Sequence, residues 1–375
     1  MSHQKNLAVW LGSVFMILSL LLPLVKVNAA YRFKNFKGRP PIHQLGGVSD
    51  RPVGLTPDQI KAVYNLPKTG GQGTIAIIGA YDDLNIEKDL NVFSKQFNLP
   101  ACTTSNGCFE KHLIGKTKSD AGWSMEISLD VEWAHAIAPQ AKILLVEAKT
   151  PSGQNFIDAI DYARQRSDVV AVSMSWGGQE FPDEVSLDSH FTSQNNKITF
   201  FASSGDNGAG VSWPASSPNV VAVGGTTLTF NTNGSLHSET AWVGSGGGIS
   251  AYEPEPAYQA DFSIPKANGH RAIPDVSYNA DAQSGFSIYR STGRSKKGWY
   301  VVGGTSAGAP QWSAIKALGM SADNQKFYAD KSSDKNGDYF RDIKTGTNGD
   351  CGYYCKARKH YDYVTGLGSP LTVSF

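Results

Sequence analysis

The chain has 375 residues, enough for one large domain or two ordinary ones. Lysine plus arginine total 34 and aspartate plus glutamate 33, a formal net charge of +1. Nucleic acid or an anionic membrane surface would find no strong attractive field on such a chain, so neither is expected as a partner. Hydrophobic residues make up 40 % and aromatics 11 %, which excludes a mostly disordered polymer.

Residues 7–25 are almost all apolar, follow Lys5, and lead into Val27-Asn28-Ala29. A charged start, an apolar run and small residues at the cleavage position describe a secretory signal over 1–29, with a secreted or periplasmic product. An uncleaved membrane anchor is the rival reading, since the run nears the ~20 residues of a bilayer span. The four cysteines form two close pairs, Cys102 with Cys108 and Cys351 with Cys355. In an exported protein these read as two small disulfide loops. A four-cysteine zinc site would need the pairs to meet across the chain, and neither pair has zinc-knuckle spacing.

Residues 30–54 lack periodicity and read as a short flexible lead-in. Thr56-Pro57 opens a helix, with Thr56 as N-cap and Pro57 in the first helical position. Residues 74–80 form a continuous apolar run, the mark of a strand buried on both faces. A helix is expected over 86–97 and another over 154–166. Further buried strands are expected at 142–147, 168–175, 197–203 and 219–223. Alternating strands and helices predict a mostly parallel α/β sheet with right-handed crossovers, in one domain over 55–375.

Residues 123–137 have helix propensity and stop before Pro139. Glu126 and Asp130 then fall on one face, four residues apart, on a helix otherwise filled by Ile127, Leu129, Val131, Trp133 and Ile137. Two buried carboxyls repel each other and lose hydration, so they persist if protonated, paired or used. No lysine or arginine lies at helical spacing to pair them. Ser306 sits among small residues in Gly303-Gly304-Thr305-Ser306-Ala307-Gly308, ahead of an apolar helical segment. A helix N-terminus there would favour a developing negative charge. Asp206 lies in a glycine-rich turn directly after a predicted strand, where α/β sheets place ligand sites.

A serine nucleophile usually needs a histidine base. The eight histidines include none in a His-Gly-Thr setting, and His135 shares the helix that carries the acids. The segments EISLDVEWAHAIAP, SMSWGG at 173–178, ASSGDNGAG at 202–210, PASSPNVVAVGGTTL at 214–228, SGGGIS at 245–250 and GGTSAGAPQWSA at 303–314 resemble the sedolisins, the serine-carboxyl peptidases. The resemblance runs from about Leu55 to Pro370 in the family's order.

It implies a subtilisin-like fold with Ser306 as nucleophile, Glu126 as general base and acid, Asp130 as its partner and Asp206 as oxyanion donor. A secreted monomer cutting peptides or unfolded proteins under acid conditions follows. A tripeptidyl aminopeptidase and an inactive peptide-binding protein are the alternatives. The resemblance also points to Ser175, Trp176 and Gly177, with Gly246 and Gly247, as two edges that pair with an extended peptide. It implies one calcium ion held by Asp342 and Asp362 with backbone carbonyls of Ile343, Arg358 and His360. One departure is that sedolisins generally carry a long prosegment, whereas only the short lead-in precedes Leu55 here.

Overall fold

Every residue of Thr74–Ala80 is buried, and alternate side chains serve different faces. Ile75 and Ile77 join the core on one side of the sheet, while Ala76 and Ile78 join the core on the other. The computed structural model describes residues 33–193, 197–292, 296–333 and 339–371, so the predicted signal at 1–29 lies outside the described residues. In chain order the main elements are β1 (His43–Ser49), α1 (Pro57–Val63), β2 (Thr74–Ala80), α2 (Ile86–Gln96), β3 (Phe109–Ile114), α3 (Ala121–Ile137), β4 (Lys142–Ala148) and α4 (Gly153–Arg164). There follow β5 (Val169–Met174), β6 (Thr199–Ser203), β7 (Val220–Phe230), β8 (Leu236–Ala241), β9 (Val276–Asn279), β10 (Phe286–Arg290), β11 (Gly298–Gly303), α5 (Gly308–Ala317) and α6 (Asn324–Ser333).

The central sheet runs β8-β7-β6-β5-β2-β4-β3, and β9 also pairs with β7. Strands β3 to β7 in this order are parallel, with Thr74 opposite Lys142 and Ala171 opposite Thr199, and only β8 runs antiparallel. Helices α2, α3 and α5 contribute to the core on one face and α4 to the core on the other. This is the subtilisin-like α/β arrangement expected from the sequence. The strand order changes direction around β2, so the carboxyl ends of β5 and β6 open onto one crevice.

Helix α1 begins as its sequence predicts. Gln59 N donates to Thr56 Oγ1 at 3.4 Å, and Thr56 N donates to Gln59 Oε1 at 2.9 Å, a reciprocal capping box. The lead-in differs from expectation. It is not a loose tail: β1 pairs antiparallel with β11, placing His43 opposite Gly303 and Gln44 opposite Val302. Its partner strand is some 250 residues away in sequence, so no local periodicity announces it. Both predicted disulfides are formed, Cys102–Cys108 and Cys351–Cys355. Among the described residues no helix is long and apolar enough to cross a membrane.

Candidate active site

Asp120 caps α3, its carboxylate accepting from Gly122 N at 3.0 Å and Trp123 N at 3.1 Å. The helix then runs through the core against α5 and α2, which buries Glu126 and Asp130 to 1 % exposure each. Ser306 lies in a single 3-10 turn, Thr305–Ala307, that feeds directly into α5. Asp206 follows β6, and Ser175 follows β5. The four residues singled out for chemistry thus come from a helix, a strand end and a helix entrance, and they converge at the carboxyl end of the sheet.

Burial pushes the Glu126 carboxyl well above the usual range, and the neighbouring Asp130 pushes it further, with Asp206 adding to the effect. Neither Glu126 oxygen has a partner at hydrogen-bond geometry. The Ser306 hydroxyl is near enough to favour the ionised form of Glu126 and offsets part of this rise. Its one close contact is long, Ser306 Oγ donating to Ser175 O at 3.5 Å. Burial also raises Asp130, against a hydrogen bond from Ser175.

Ser175 is the joint of the site. Its Oγ lies 2.7 Å from Asp130 Oδ1 and 3.0 Å from the carbonyl oxygen of Ser306. A hydroxyl has one proton to give. With Asp130 ionised, Ser175 donates to one of the two. With Asp130 protonated, the acid donates to Ser175 and Ser175 donates to the Ser306 carbonyl, closing both contacts.

Asp206 is oriented by Thr305, whose N and Oγ1 donate to Oδ1 at 2.8 and 2.7 Å. The other oxygen, Oδ2, is buried, and the residue forms part of the cleft wall. Burial raises this carboxyl, while His43 and Thr305 pull it back. His43 Nε2 stands 3.0 Å from Oδ2, at ion-pair distance though off hydrogen-bond alignment. Asp206 in turn raises His43. Sequence reasoning missed His43, because nothing in its local sequence marks it; only the pairing of β1 with β11 brings it here.

The cleft beside these groups has a volume of about 1090 Å³ and is lined by Pro41, His43, Gly177, Ser204, Asp206 and Gly246 among others. Gly177 does present a pairing edge: Arg39 N donates to its carbonyl at 2.9 Å and its N–H donates to Arg39 O at 3.1 Å. Trp176 points away from the cleft, stacked on Phe156 with ring centroids 3.7 Å apart and its Nε1 donating to Ile78 O at 3.1 Å. Gly246 and Gly247 have their N–H groups committed to Gly205 O at 2.8 Å and Gly210 O at 2.9 Å. A Cβ at Gly247 would sit 1.9 Å from Tyr363 O, so this glycine allows a close backbone crossing. Pro151–Gly153, beside the start of α4, also faces an extended segment, with Gly38 N donating to Pro151 O and Gly153 N to Phe36 O.

The C-terminal carboxylates also meet. Asp342 Oδ2 accepts from His360 N at 3.1 Å, and Asp362 Oδ2 accepts from Arg358 N at 3.0 Å. Val364 N and Thr365 N each donate to Asp362 Oδ1 at 2.8 Å. Burial pushes Asp362 up to about 6. His360 adopts a left-handed conformation at φ 69° that lets the loop wrap the two acids. Asp342 Oδ1 is buried with no protein partner, and an unpartnered hard oxygen of this kind fits a cation ligand. Cys102, Cys108 and His135 also cluster, but both sulfurs are spent in the disulfide.

These features define a subtilisin-like scaffold in which a buried carboxyl pair, a serine turn and a further acid converge at the carboxyl end of the sheet. A family model described as the subtilase family matches residues 114–336. Sedolisin of Pseudomonas sp. (strain 101) is 28 % identical over 362 residues, covering 84 % of this chain and 60 % of that protein. Kumamolisin of Bacillus sp. (strain MN-32) is 30 % identical over 370 residues, covering 87 % of this chain and 63 % of that protein. A solved structure of Pseudomonas sedolisin, a serine-carboxyl proteinase complexed with two molecules of pseudo-iodotyrostatin, matches with a TM-score of 0.71. It is 27 % identical, and the match covers 85 % of this chain and 96 % of that one. The chain belongs to the subtilase family, in its sedolisin group. It spans less than two thirds of the length of either curated relative.

Proposed function

We propose that the chain is a serine-carboxyl endopeptidase that hydrolyses peptide bonds in acid. The observation that carries this reading is the convergence of Ser306, the buried Glu126–Asp130 pair and Asp206 at one end of the sheet. Ser306 Oγ attacks the scissile carbonyl carbon and its proton passes to Glu126. The tetrahedral oxyanion forms beside Asp206 Oδ2, which donates a hydrogen bond when protonated. Glu126 returns the proton to the departing amine, leaving an acyl group on Ser306. Water then attacks the acyl carbon with Glu126 again as base, and Ser306 is regenerated. Asp130 holds a second carboxyl against Glu126 and keeps its proton affinity high, as a shared-proton pair does.

The substrate class is an extended peptide or unfolded protein, gripped by backbone pairing at Gly177. The test is digestion of an internally quenched peptide with a blocked N-terminus at about pH 4. The parent should cut it within the chain and Ser306→Ala should not. Cleavage confined to peptides with a free N-terminus, three residues in, would establish the tripeptidyl reading instead.

Export fits the signal reading and the two disulfides. Calcium would be held by Asp342, Asp362 and the carbonyls of Ile343, Arg358 and His360, where it would tie the C-terminal loop to the rest of the domain. That loop reaches the cleft, since Ser245 Oγ donates to Val364 O at 2.8 Å beside Gly246. A metal bound only by the folded state stabilises it by mass action. Chelation, or Asp342→Ala, should therefore lower the melting temperature, and calcium-free protein with unchanged melting would refute the site.

A further inference from the structure

Thr305 links the nucleophile to the oxyanion acid. It precedes Ser306 in the 3-10 turn and is fully buried. Its N–H and its hydroxyl both donate to one oxygen of Asp206, Oδ1, at 2.8 and 2.7 Å. Gly205 N donates to the same hydroxyl at 3.1 Å. Among the described residues that hydroxyl has one acceptor, Oδ1. The other carboxyl oxygen, Oδ2, is buried without a partner at hydrogen-bond geometry. A Cβ built on Gly304 would lie 2.6 Å from Oδ2, so the glycine keeps that oxygen clear.

We propose that Thr305 is a positioning residue that holds the proton of neutral Asp206 on Oδ2, the oxygen that serves the oxyanion. The inference rests on the serine-carboxyl reading above. A neutral carboxyl carries one proton and can place it on either oxygen, and the oxygen that carries it is the one that donates. A proton on Oδ1 would face the Thr305 N–H, which cannot turn round, and would displace the Thr305 hydroxyl from its acceptor. Buried donors would then stand unpaired, which a core tolerates poorly. A proton on Oδ2 leaves both bonds in place. Gly205 N occupies the acceptor side of the hydroxyl, so the hydroxyl proton is left for Oδ1. The oxyanion therefore meets a donor that needs no rearrangement.

The same bonds favour the ionised carboxyl. Burial raises Asp206, and Thr305 pulls it down. The titratable groups that face Asp206 from other elements are His43 on β1, which also pulls it down, and Glu126 on α3, which Asp206 raises. Loss of the Thr305 hydroxyl should thus do two things at once. It lets the proton visit Oδ1, which lowers the rate. It also raises the carboxyl, which lets the neutral acid persist to higher pH. A residue that merely packed the turn would do the first and not the second.

The experiment measures kcat and KM on a quenched peptide from about pH 3 to about pH 8 for the parent, Thr305→Val and Thr305→Ser. Valine keeps the shape and removes the hydroxyl. Its kcat should fall roughly 10- to 100-fold, less than the ~10²–10³ of losing the donor outright. KM should change little, and the alkaline limb should move upward. Serine keeps the hydroxyl and should restore both the rate and the limb. In an Asp206→Asn background, which has no titrating donor, Thr305→Val should leave the limb where it is. A lower kcat with an unmoved limb, or a serine variant as impaired as the valine one, would overturn the inference. Should the valine variant fail to fold, Thr305→Ala gives the same readout; failure of both, with serine folding, would assign Thr305 to structure and overturn the inference as well. In each case peptide turnover by the parent that Ser306→Ala lacks leaves the peptidase reading standing. A parent without turnover at any pH overturns that reading itself.

Discussion

Glu126→Gln and Ser306→Ala should each lower kcat/KM on an added peptide by ~10⁴-fold or more, and the double variant should be little worse than either. The two residues act as one device. Without the serine there is no acyl acceptor, and without a titratable group at position 126 the hydroxyl proton has nowhere to go. Glutamine keeps the shape of Glu126 and removes a carboxyl that lacks hydrogen-bond partners in the core. Melting of Glu126→Gln should therefore equal or exceed that of the parent. Histidine variants separate this scheme from a conventional triad. Among the described residues, the one imidazole at the site is His43, which meets Asp206 rather than the Ser306 hydroxyl. His43→Gln should keep peptide turnover. It should also move the alkaline limb of the profile upward, because His43 pulls down the proton affinity of Asp206. A folded His43→Gln protein as inactive as Ser306→Ala would replace the glutamate base with a histidine one.

The folded chain should be more stable in acid than at neutrality, with a melting temperature at about pH 7 at least ~5 °C below that at about pH 4. Glu184 and Glu253 are buried near each other, with Asp188 beside Glu253 and Glu180 beside Glu184. Burial pushes Glu184 up to about 8 and Glu253 up to about 9, and repulsion from neighbouring carboxylates adds to both. In the unfolded chain a glutamate titrates near ~4.3. The folded state therefore holds more protons between these limits. Its advantage is complete below the unfolded value and is lost as pH rises through about 8 to 9. Both oxygens of Glu253 lack partners, so Glu253→Gln should flatten the dependence. Melting temperatures measured by calorimetry across this range decide the matter, and a rise in melting temperature toward neutrality would contradict it.

The buried strands were legible because a strand covered on both faces must be apolar throughout, as at Thr74–Ala80. Helix α3 was legible for the converse reason: Glu126 and Asp130 stand out against apolar neighbours. The Thr56 cap and both disulfides follow from chemistry that is local in sequence. What stayed hidden depends on partners far along the chain. Strand β1 exists only because β11 offers it an edge, and Gly46 and Gly47 inside it obscure any strand signal. The same pairing delivers His43 to Asp206. The role of Ser175 as a bridge between Asp130 and the Ser306 backbone was also unreadable. Its position in SMSWGG suggested a backbone edge for an extended peptide and gave no sign that the hydroxyl turns inward to Asp130 and the Ser306 carbonyl. Glu253 lies between half-buried Tyr252 and exposed Pro254 in the strand Gly248–Pro254, so its burial beside other acids has no sequence mark.

The central claim is that Ser306 is acylated with Glu126 as its base. It is tested most directly by quenching turnover of an activated acyl ester in acid and mapping the trapped acyl group by mass spectrometry. The acyl group should sit on Ser306 in the parent and be absent from Glu126→Gln under the same conditions. An acyl group on another residue, or undiminished labelling of Ser306 in Glu126→Gln, would contradict the account.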